Sequence, residues 1–204
     1  GVMLSAAGSL QWAKDHLFPE TPLATLLEEA WAAPAGCEGL RFAPYLQGER
    51  CPHPDPAVRG AFVGLSLRHT RGHVVRAILE GVSFAMADIL TLVRSLGVPV
   101  SMVMLGGGGA KSPQWRQLLA DLFDLPVAVP ETEEGGAYGA ALLAGVGAGA
   151  AGGGWASVTQ ACAQCTAASS QTPPSGRSDP ALAQARRDFA GLYERLAPPA
   201  DRPR

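Results

Sequence analysis

The sequence predicts a layered α/β domain, because segments typical of strands alternate with segments typical of helices along most of the chain. Residues 70–96 form the longest helical pattern, with a broad apolar stripe at helical spacing. An apolar segment at residues 100–105 is followed by four glycines and then by a predicted helix at residues 114–123. A short apolar segment at residues 127–129 stands between two prolines and is predicted to be a further strand.

The remaining elements follow from the same patterns. Helices are predicted at residues 9–17, 25–33, 136–148 and 180–196, and strands at residues 40–46 and 60–65. A loop with three prolines, residues 48–56, is expected to be extended and stiff. Residues 1–9 are interpreted as the end of a strand. Residues 149–179 are rich in Gly, Ala, Ser, Thr and Pro and predict a loop or weak structure, and the Arg/Pro-rich tail is expected to be mobile.

Composition narrows the class of protein. The chain has 204 residues, of which 47% are apolar and 17% are charged, with a formal net charge of −2. A near-neutral chain without a basic block argues against nucleic-acid binding. The apolar residues 135–154 are almost all Ala and Gly, so a closely packed internal helix is expected rather than a membrane span. No signal peptide is apparent at the start of the chain, and the expected location is the cytoplasm.

The cysteines and histidines do not predict a metal site. Cys162 and Cys165 are the one close cysteine pair, and they are interpreted as unpaired thiols in a reducing compartment. His69 and His73 are four residues apart and can share one face of a helix. No Glu follows His69 in the H-E-x-x-H manner, so packing or helix capping is favoured for both rings over zinc binding.

The glycine run at residues 106–109 is the strongest functional signal in the chain. Glycine permits positive φ and lacks the Cβ that would hold a ligand away from the backbone. The helix that follows adds free N–H groups and a partial positive charge, which suit a phosphate. The run imitates a Walker A loop, but Leu105 and Ala110 stand where that motif needs glycine. A phosphate-binding turn of another type is therefore predicted.

Two further segments give the run a family context. Residues 60–65 followed by residues 73–80 resemble the C-terminal signature of the FGGY carbohydrate kinases, and residues 106–121 resemble the adenosine-binding turn and helix of that family. The segment 44–53, together with Arg59 and Gly60, is more similar to bacterial xylulokinases than to glycerol kinases. Residues 139–144 also fit the family, and the resemblance covers residues 1–149.

The resemblance implies a fold and a domain organisation. The implied fold is the ribonuclease H-like, actin-like ATPase fold, with a mixed sheet flanked by helices that lacks its first strands here. Residues 1–149 would be part of the C-terminal kinase domain, on the nucleotide-binding side. Residues 150–204 would be a Gly/Ala/Ser/Pro-rich segment and terminal helix of the same domain. An N-terminal kinase domain would be the partner across the cleft, and a homodimer is left open.

The resemblance also implies an activity. The expected reaction transfers the γ-phosphoryl group of ATP, with Mg²⁺, to D-xylulose, and a gluconokinase, ribulokinase, glycerol kinase or non-catalytic nucleotide-binding domain is the alternative. Gly107, Gly108 and Gly109 would approach the ribose and phosphates, and Ser112 would lie beside the adenine. The family's catalytic base is an Asp in a Gly-Gly-Asp context, and no Asp of this chain has that context. The chain alone is therefore expected to be inactive.

Polar residues near the signature are given structural roles. Residues of the 48–56 loop could contact a sugar or partner domain, namely Glu49, Arg50, His53 and Asp55. Local ion pairing of Glu49 and Arg50, which would brace the loop against Arg59 or Glu80, is favoured because ion-pair networks also cluster polar residues. His73 and Glu80 are predicted to anchor the long helix rather than to act in catalysis.

Overall fold

A computed structural model of the chain describes residues 2–132 and 135–197. Contacts divide the chain into two compact units, the first formed by Gly1–Pro99 with Gly176–Arg204 and the second by Val100–Ser175. The Arg/Pro-rich tail predicted to be mobile lies outside the described residues.

The first unit contains most of the helices. Its elements are α1 (Gly8–Trp12), a π-helical turn (Ala13–Leu17), α2 (Leu23–Ala32), a 3-10 turn (Ala35–Gly39), β1 (Arg41–Ala43), β2 (Ala61–Val63), α3 (Arg71–Ser95), α7 (Pro180–Ala190) and α8 (Leu192–Leu196). The predicted helices are confirmed, although the last one is divided at Gly191. The two predicted strands are shorter than expected and pair antiparallel, with Arg41 opposite Val63.

The interpretation of residues 1–9 as the end of a strand is wrong. The Ser9 N–H donates to the carbonyls of Ser5 and Ala6, each at 3.1 Å, so a turn leads directly into α1. Local hydrogen bonds between residues three and four apart therefore place residues 5–9 in a turn and a helix, and none of residues 2–9 lies in a strand.

Helix α3 is the central element of the first unit. It packs on α2 and β1 through positions without a side chain: a Cβ on Gly72 would lie 2.5 Å from the Glu29 carbonyl oxygen, and one on Gly81 only 2.1 Å from the Phe42 carbonyl oxygen. Glycine at both positions lets the backbones approach closely. Ile78, Leu79 and Val82 on the same helix are at most 1% exposed and form part of the core.

The two signature residues of α3 anchor it, as predicted. His73 Nδ1 accepts a hydrogen bond from the Thr70 N–H at 3.2 Å, which caps the start of the helix. Glu80 is 2% exposed, and its Oε1 accepts from the Gly36 N–H at 3.0 Å and from Arg76 Nε at 2.9 Å. Its Oε2 accepts from Cys37 Sγ at 3.6 Å, and burial together with the Glu80 charge raises the pKa of that thiol.

Helix α7 returns to the first unit from the end of the chain. Arg41 is buried, and its guanidinium donates to the Asp188 carboxylate at 2.8 Å and to the Gly36 carbonyl at 2.6 Å. The rings of Phe189 and Phe84 are 5.5 Å apart. An ion pair and an aromatic contact therefore attach the last helices to the strand and helix of the core.

The lowered pKa of the Asp188 carboxyl predicts how the stability of the fold depends on pH. Desolvation is the largest single influence on its pKa and raises it, but hydrogen bonds from Gln184 and Arg41, with the charges of Arg41 and Arg187, outweigh desolvation and lower the pKa. The unfolded chain thus binds this proton more tightly, so the ion pair stabilises the fold above the ordinary Asp pKa and is lost as the pH falls through the folded value. We expect Asp188→Asn to be less stable at pH 7 and to lose less stability than the parent chain between pH 6 and 3. Parallel pH dependences in urea unfolding would contradict this.

The 48–56 loop is braced by backbone and aromatic contacts. Glu49 is 3% exposed and accepts from the N–H groups of Leu4 (3.2 Å) and Arg50 (2.7 Å), whereas the predicted side-chain partners bond elsewhere: Arg59 donates to backbone carbonyls and Glu80 binds Arg76. The His53 ring stacks on Tyr193 of α8 with centroids 3.8 Å apart. The structural role favoured for the loop is borne out by these contacts, but through different partners.

The second unit holds a three-stranded mixed sheet. Its elements are β3 (Val103–Met104), a 3-10 turn (Gly108–Lys111), α4 (Pro113–Phe123), β4 (Val127–Pro130), α5 (Gly135–Ala148), a 3-10 turn (Ala150–Gly152), α6 (Val158–Cys165) and β5 (Ala168–Thr172). The strand order is β3-β4-β5, with β3 parallel and β5 antiparallel to β4. The glycine run connects β3 to α4, as predicted.

Two expectations for the second unit are wrong. Residues 149–179 are not only a loop, because they contain α6 and β5. Helix α5 is not closely packed, because Leu142 is its only buried residue among those described, and Leu143 is 60% exposed. Small side chains form few contacts in this helix, and Gly145 instead accommodates the Trp155 ring. None of the helices in the described parts of the chain is long and apolar enough to span a membrane.

Candidate functional site

A pocket of about 350 Å³ opens beside the glycine turn of the second unit. It is lined by Gly106, Gly107, Gly108, Ala110, Lys111, Arg116, Val129, Pro130, Ser169 and Ser170. The lining combines exposed backbone, an apolar strand end, two hydroxyl groups and two cationic side chains. A cavity of this size and mixed lining suits a small organic ligand.

In the turn between β3 and α4, Gly107 has a backbone conformation that only glycine readily adopts. Gly107 has φ +79°, where an L side chain is strained. A Cβ on Gly108 would meet nothing within 4 Å, so this position opens to free space beside the pocket. A Cβ on Gly109 would lie 3.1 Å from the Trp115 ring, so the missing side chain there serves packing. Of the three glycines predicted for the site, Gly107 and Gly108 line the pocket and Gly109 does not.

Ser112 caps the helix that follows the turn. Its Oγ accepts a hydrogen bond from the Trp115 N–H at 3.3 Å, and Pro113 occupies the first helical position. Ser112 is absent from the pocket lining. The structure therefore separates the four predicted residues: two glycines border the pocket, and the third glycine and the serine shape its supporting turn.

The cap is a small, testable contribution to stability. We expect Ser112→Ala to lower the free energy of unfolding by about 1 kcal/mol, because one N–H of the first turn of α4 loses its acceptor. Ser112→Asp retains an acceptor and should stay close to the parent chain. Urea unfolding of the three proteins provides the measurement, and an Ala variant as stable as the Asp variant would exclude the capping role.

Strand β5 supplies pocket residues that the sequence did not predict. The β4–β5 pairing shifts register between Val129 and Pro130, where Ser170 and Ala168 are the partners, so Ser169 is the extra residue of a bulge. Ser169 Oγ donates to the Val129 carbonyl at 3.1 Å. Bulges re-aim side chains at the edge of a sheet, and here both serines reach the pocket.

The charge of the pocket suits an anion. Lys111 and Arg116 are cationic, and none of the described residues that line the pocket has a carboxylate. Mg²⁺ is usually held by one or two carboxylates together with substrate phosphates. Among residues 2–132 and 135–197, no group of three or more His, Cys, Asp or Glu side chains is placed to hold a metal ion.

The two histidines considered as metal ligands are engaged through Nδ1. His69 Nδ1 accepts from the Ser66 N–H at 3.0 Å, and His73 Nδ1 accepts from the Thr70 N–H at 3.2 Å. A backbone N–H can only donate, so the neutral rings carry their proton on Nε2 and have no free lone pair there. The His73 bond supports the capping role for that ring, whereas His69 lies in the turn before α3 and bonds there to Ser66.

Comparison with known proteins agrees with this architecture. Residues 3–148 match the sequence model of the FGGY family of carbohydrate kinases, C-terminal domain. The chain is 42% identical over 164 residues to the xylulose kinase of Bacillus subtilis, covering 80% of this chain and 32% of that protein. It is 41% identical over 123 residues to the gluconokinase of the same organism, covering 60% of this chain and 24% of that protein.

Solved structures show the same fold. The crystal structure of ligand-bound xylulose kinase from Lactobacillus acidophilus superimposes with a TM-score of 0.82 at 27% identity, covering 96% of this chain and 39% of that one. The fold is therefore that of the actin-like ATPase class found in sugar kinases. The chain belongs to the FGGY family of carbohydrate kinases as its C-terminal domain, and it spans 32% of the length of the Bacillus subtilis relative.

Proposed function

We propose that the intact protein is an ATP-dependent sugar kinase that transfers the γ-phosphoryl group to D-xylulose. The observation that carries the proposal is the cationic, glycine-bordered pocket in a domain whose family is that of carbohydrate kinases. The sugar is inferred from similarity to xylulose kinases across 80% of the chain.

In the proposed reaction this chain binds and orients the nucleotide. The backbone of Gly107 and Gly108 would approach the ribose and phosphates, while Gly109 and Ser112 would hold the turn and the start of α4 beside the adenosine. Phosphoryl transfer depends on positioning and on neutralising charge around the phosphate, and this pocket contributes from one side only. The sugar-binding groups, the catalytic base and any Mg²⁺ ligands are proposed to lie in an N-terminal kinase domain.

The proposal predicts a difference between the chain and the intact kinase. The intact kinase should release ADP only when both ATP and D-xylulose are present. The purified chain should release no more ADP with xylulose than without it, because it contains one side of the cleft. Sugar-dependent ADP release by the chain alone would refute the proposed division of roles between the two domains. ADP release by the intact protein that does not depend on D-xylulose would refute D-xylulose as the substrate.

Gluconate is the second candidate substrate. The chain is almost as similar to a gluconokinase as to a xylulose kinase, although over a shorter stretch. A panel of D-xylulose, gluconate, ribulose and glycerol with the intact kinase separates the candidates by kcat/KM. Nucleotide binding without turnover of any of the four sugars would favour a non-catalytic nucleotide-binding protein.

A further inference from the structure

We propose that Arg116 is a positioning residue for the nucleotide, a role that rests on the proposed ATP-binding function of this pocket. Arg116 lies in the first turn of α4, where its backbone N–H donates to the Ser112 carbonyl at 3.0 Å. Its side chain runs back toward the start of the helix, as helical side chains do. There, one guanidinium nitrogen donates to the Ala110 carbonyl at 2.5 Å.

This hydrogen bond fixes the glycine turn. Ala110 is 4% exposed, and its own N–H donates to the Gly107 carbonyl at 3.1 Å. Arg116 therefore holds the residue that closes the turn begun by Gly107. Without the guanidinium, the Ala110 carbonyl would lose a charged donor, and the turn would be free to adopt other shapes before the ligand binds. Preorganisation of this kind contributes directly to affinity.

The positive charge of Arg116 lies near the N-terminus of α4, where it is unfavourable for the helix. The N-terminus of a helix carries a partial positive charge and favours acidic side chains, yet α4 has no acidic residue in its first turn. Arg116 and Lys111 add two cations at this end, and both line the pocket. The Arg116 Nε is buried and has no hydrogen-bond partner among the described residues. An anionic ligand in the pocket would compensate the charge of both the helix end and the guanidinium.

Two substitutions of Arg116 in the intact kinase test the inference. We expect Arg116→Met to raise the KM for ATP about tenfold, because a hydrogen bond from a charged donor and its charge are both lost. Arg116→Lys keeps the charge and should raise that KM by only about threefold. The KM for the sugar and the kcat should stay within about twofold. Arg187→Met is the matched control, because Arg187 is an exposed arginine on α7 that bonds to Gln184. Should Arg116→Met fail to fold, Arg116→Gln serves as the replacement.

Ionic strength provides the readout that a purely structural role would not move. Salt should raise the KM for ATP more steeply in the parent kinase than in Arg116→Met, because salt screens the attraction between the anionic nucleotide and the half-buried guanidinium, which the methionine lacks. An unchanged ATP KM in Arg116→Met, or an equal rise in both substrate KM values, would overturn the inference. The variant Gly108→Val distinguishes an incorrect role for Arg116 from an incorrect assignment of the pocket as the ATP site. If Gly108→Val raises the ATP KM and Arg116→Met does not, the pocket is correct and the role of Arg116 is wrong.

Discussion

Gly108→Val in the intact kinase should raise the KM for ATP by at least about tenfold while changing the KM for the sugar by less than about twofold. A Cβ at this position meets no atom within 4 Å, so the protein itself can accept the side chain. The isopropyl group would occupy the space beside the turn, where the protein backbone is proposed to contact the ribose and phosphates of ATP. Initial rates at varied ATP and varied sugar give both values.

The matched control for this variant is Gly191→Val. Gly191 also has open space around its missing Cβ, and its φ of −94° is accessible to any residue. Gly191 lies between α7 and α8, far from the glycine turn in sequence. The KM of the Gly191→Val variant for ATP should therefore equal that of the parent kinase. Equal ATP KM values for Gly108→Val, Gly191→Val and the parent would exclude the glycine turn from nucleotide binding.

Gly81→Ala should be the most damaging single-methyl substitution at the core of the first unit. Its Cβ would lie 2.1 Å from the Phe42 carbonyl oxygen, a backbone atom that cannot rotate away. Helix α3 would have to separate from β1, and we expect a loss of about 3 kcal/mol or more, at the upper end for overpacking. Thermal unfolding and soluble yield of the chain give the measurement.

Gly139→Ala is the corresponding control in a helix without crowding. A Cβ on Gly139 of α5 meets nothing within 4 Å. Alanine is favoured over glycine in a helix by about 1 kcal/mol, so this variant should be as stable as the parent or more stable. A Gly81→Ala variant with an unchanged unfolding midpoint would show that the close approach of α3 and β1 is not a constraint on the fold.

The sequence predicted α3 and the glycine turn because their signals are local. The apolar stripe of α3 repeats over many turns, and consecutive glycines before a helix indicate a turn whose backbone must stay uncovered by side chains. Strand β5 was missed because Ala168–Thr172 is mostly Ala, Ser and Gln, with Thr172 as its one β-branched residue, and its conformation comes from pairing with β4. Edge strands of this kind depend on a partner about forty residues away, which a local pattern does not reveal.

The same reasoning explains what was missing from the candidate site. The run of glycines is visible in the sequence. Val129 and Ser170, in contrast, can be recognised as pocket walls only when the register of the sheet is known. In the first unit, the sequence also did not predict that residues 36–38 of the Ala35–Gly39 turn have left-handed backbone, because Cys37 and Glu38 are not residue types that favour positive φ. Glu80, 44 positions from Gly36, accepts the Gly36 N–H, so a contact distant in sequence helps to hold this conformation.

The return of α7 to the first unit has a consequence for biosynthesis. Arg41 and Asp188 are 147 positions apart, so this unit is assembled from both ends of the chain, whereas the second unit is one continuous stretch. During synthesis, residues 100–175 leave the ribosome before α7 does. In the first unit, the α7 contacts of Phe84 and the Arg41 guanidinium form only after residues 180–190 have emerged. Premature termination before α7 would therefore leave an aggregation-prone nascent product, even though the glycine turn had already formed.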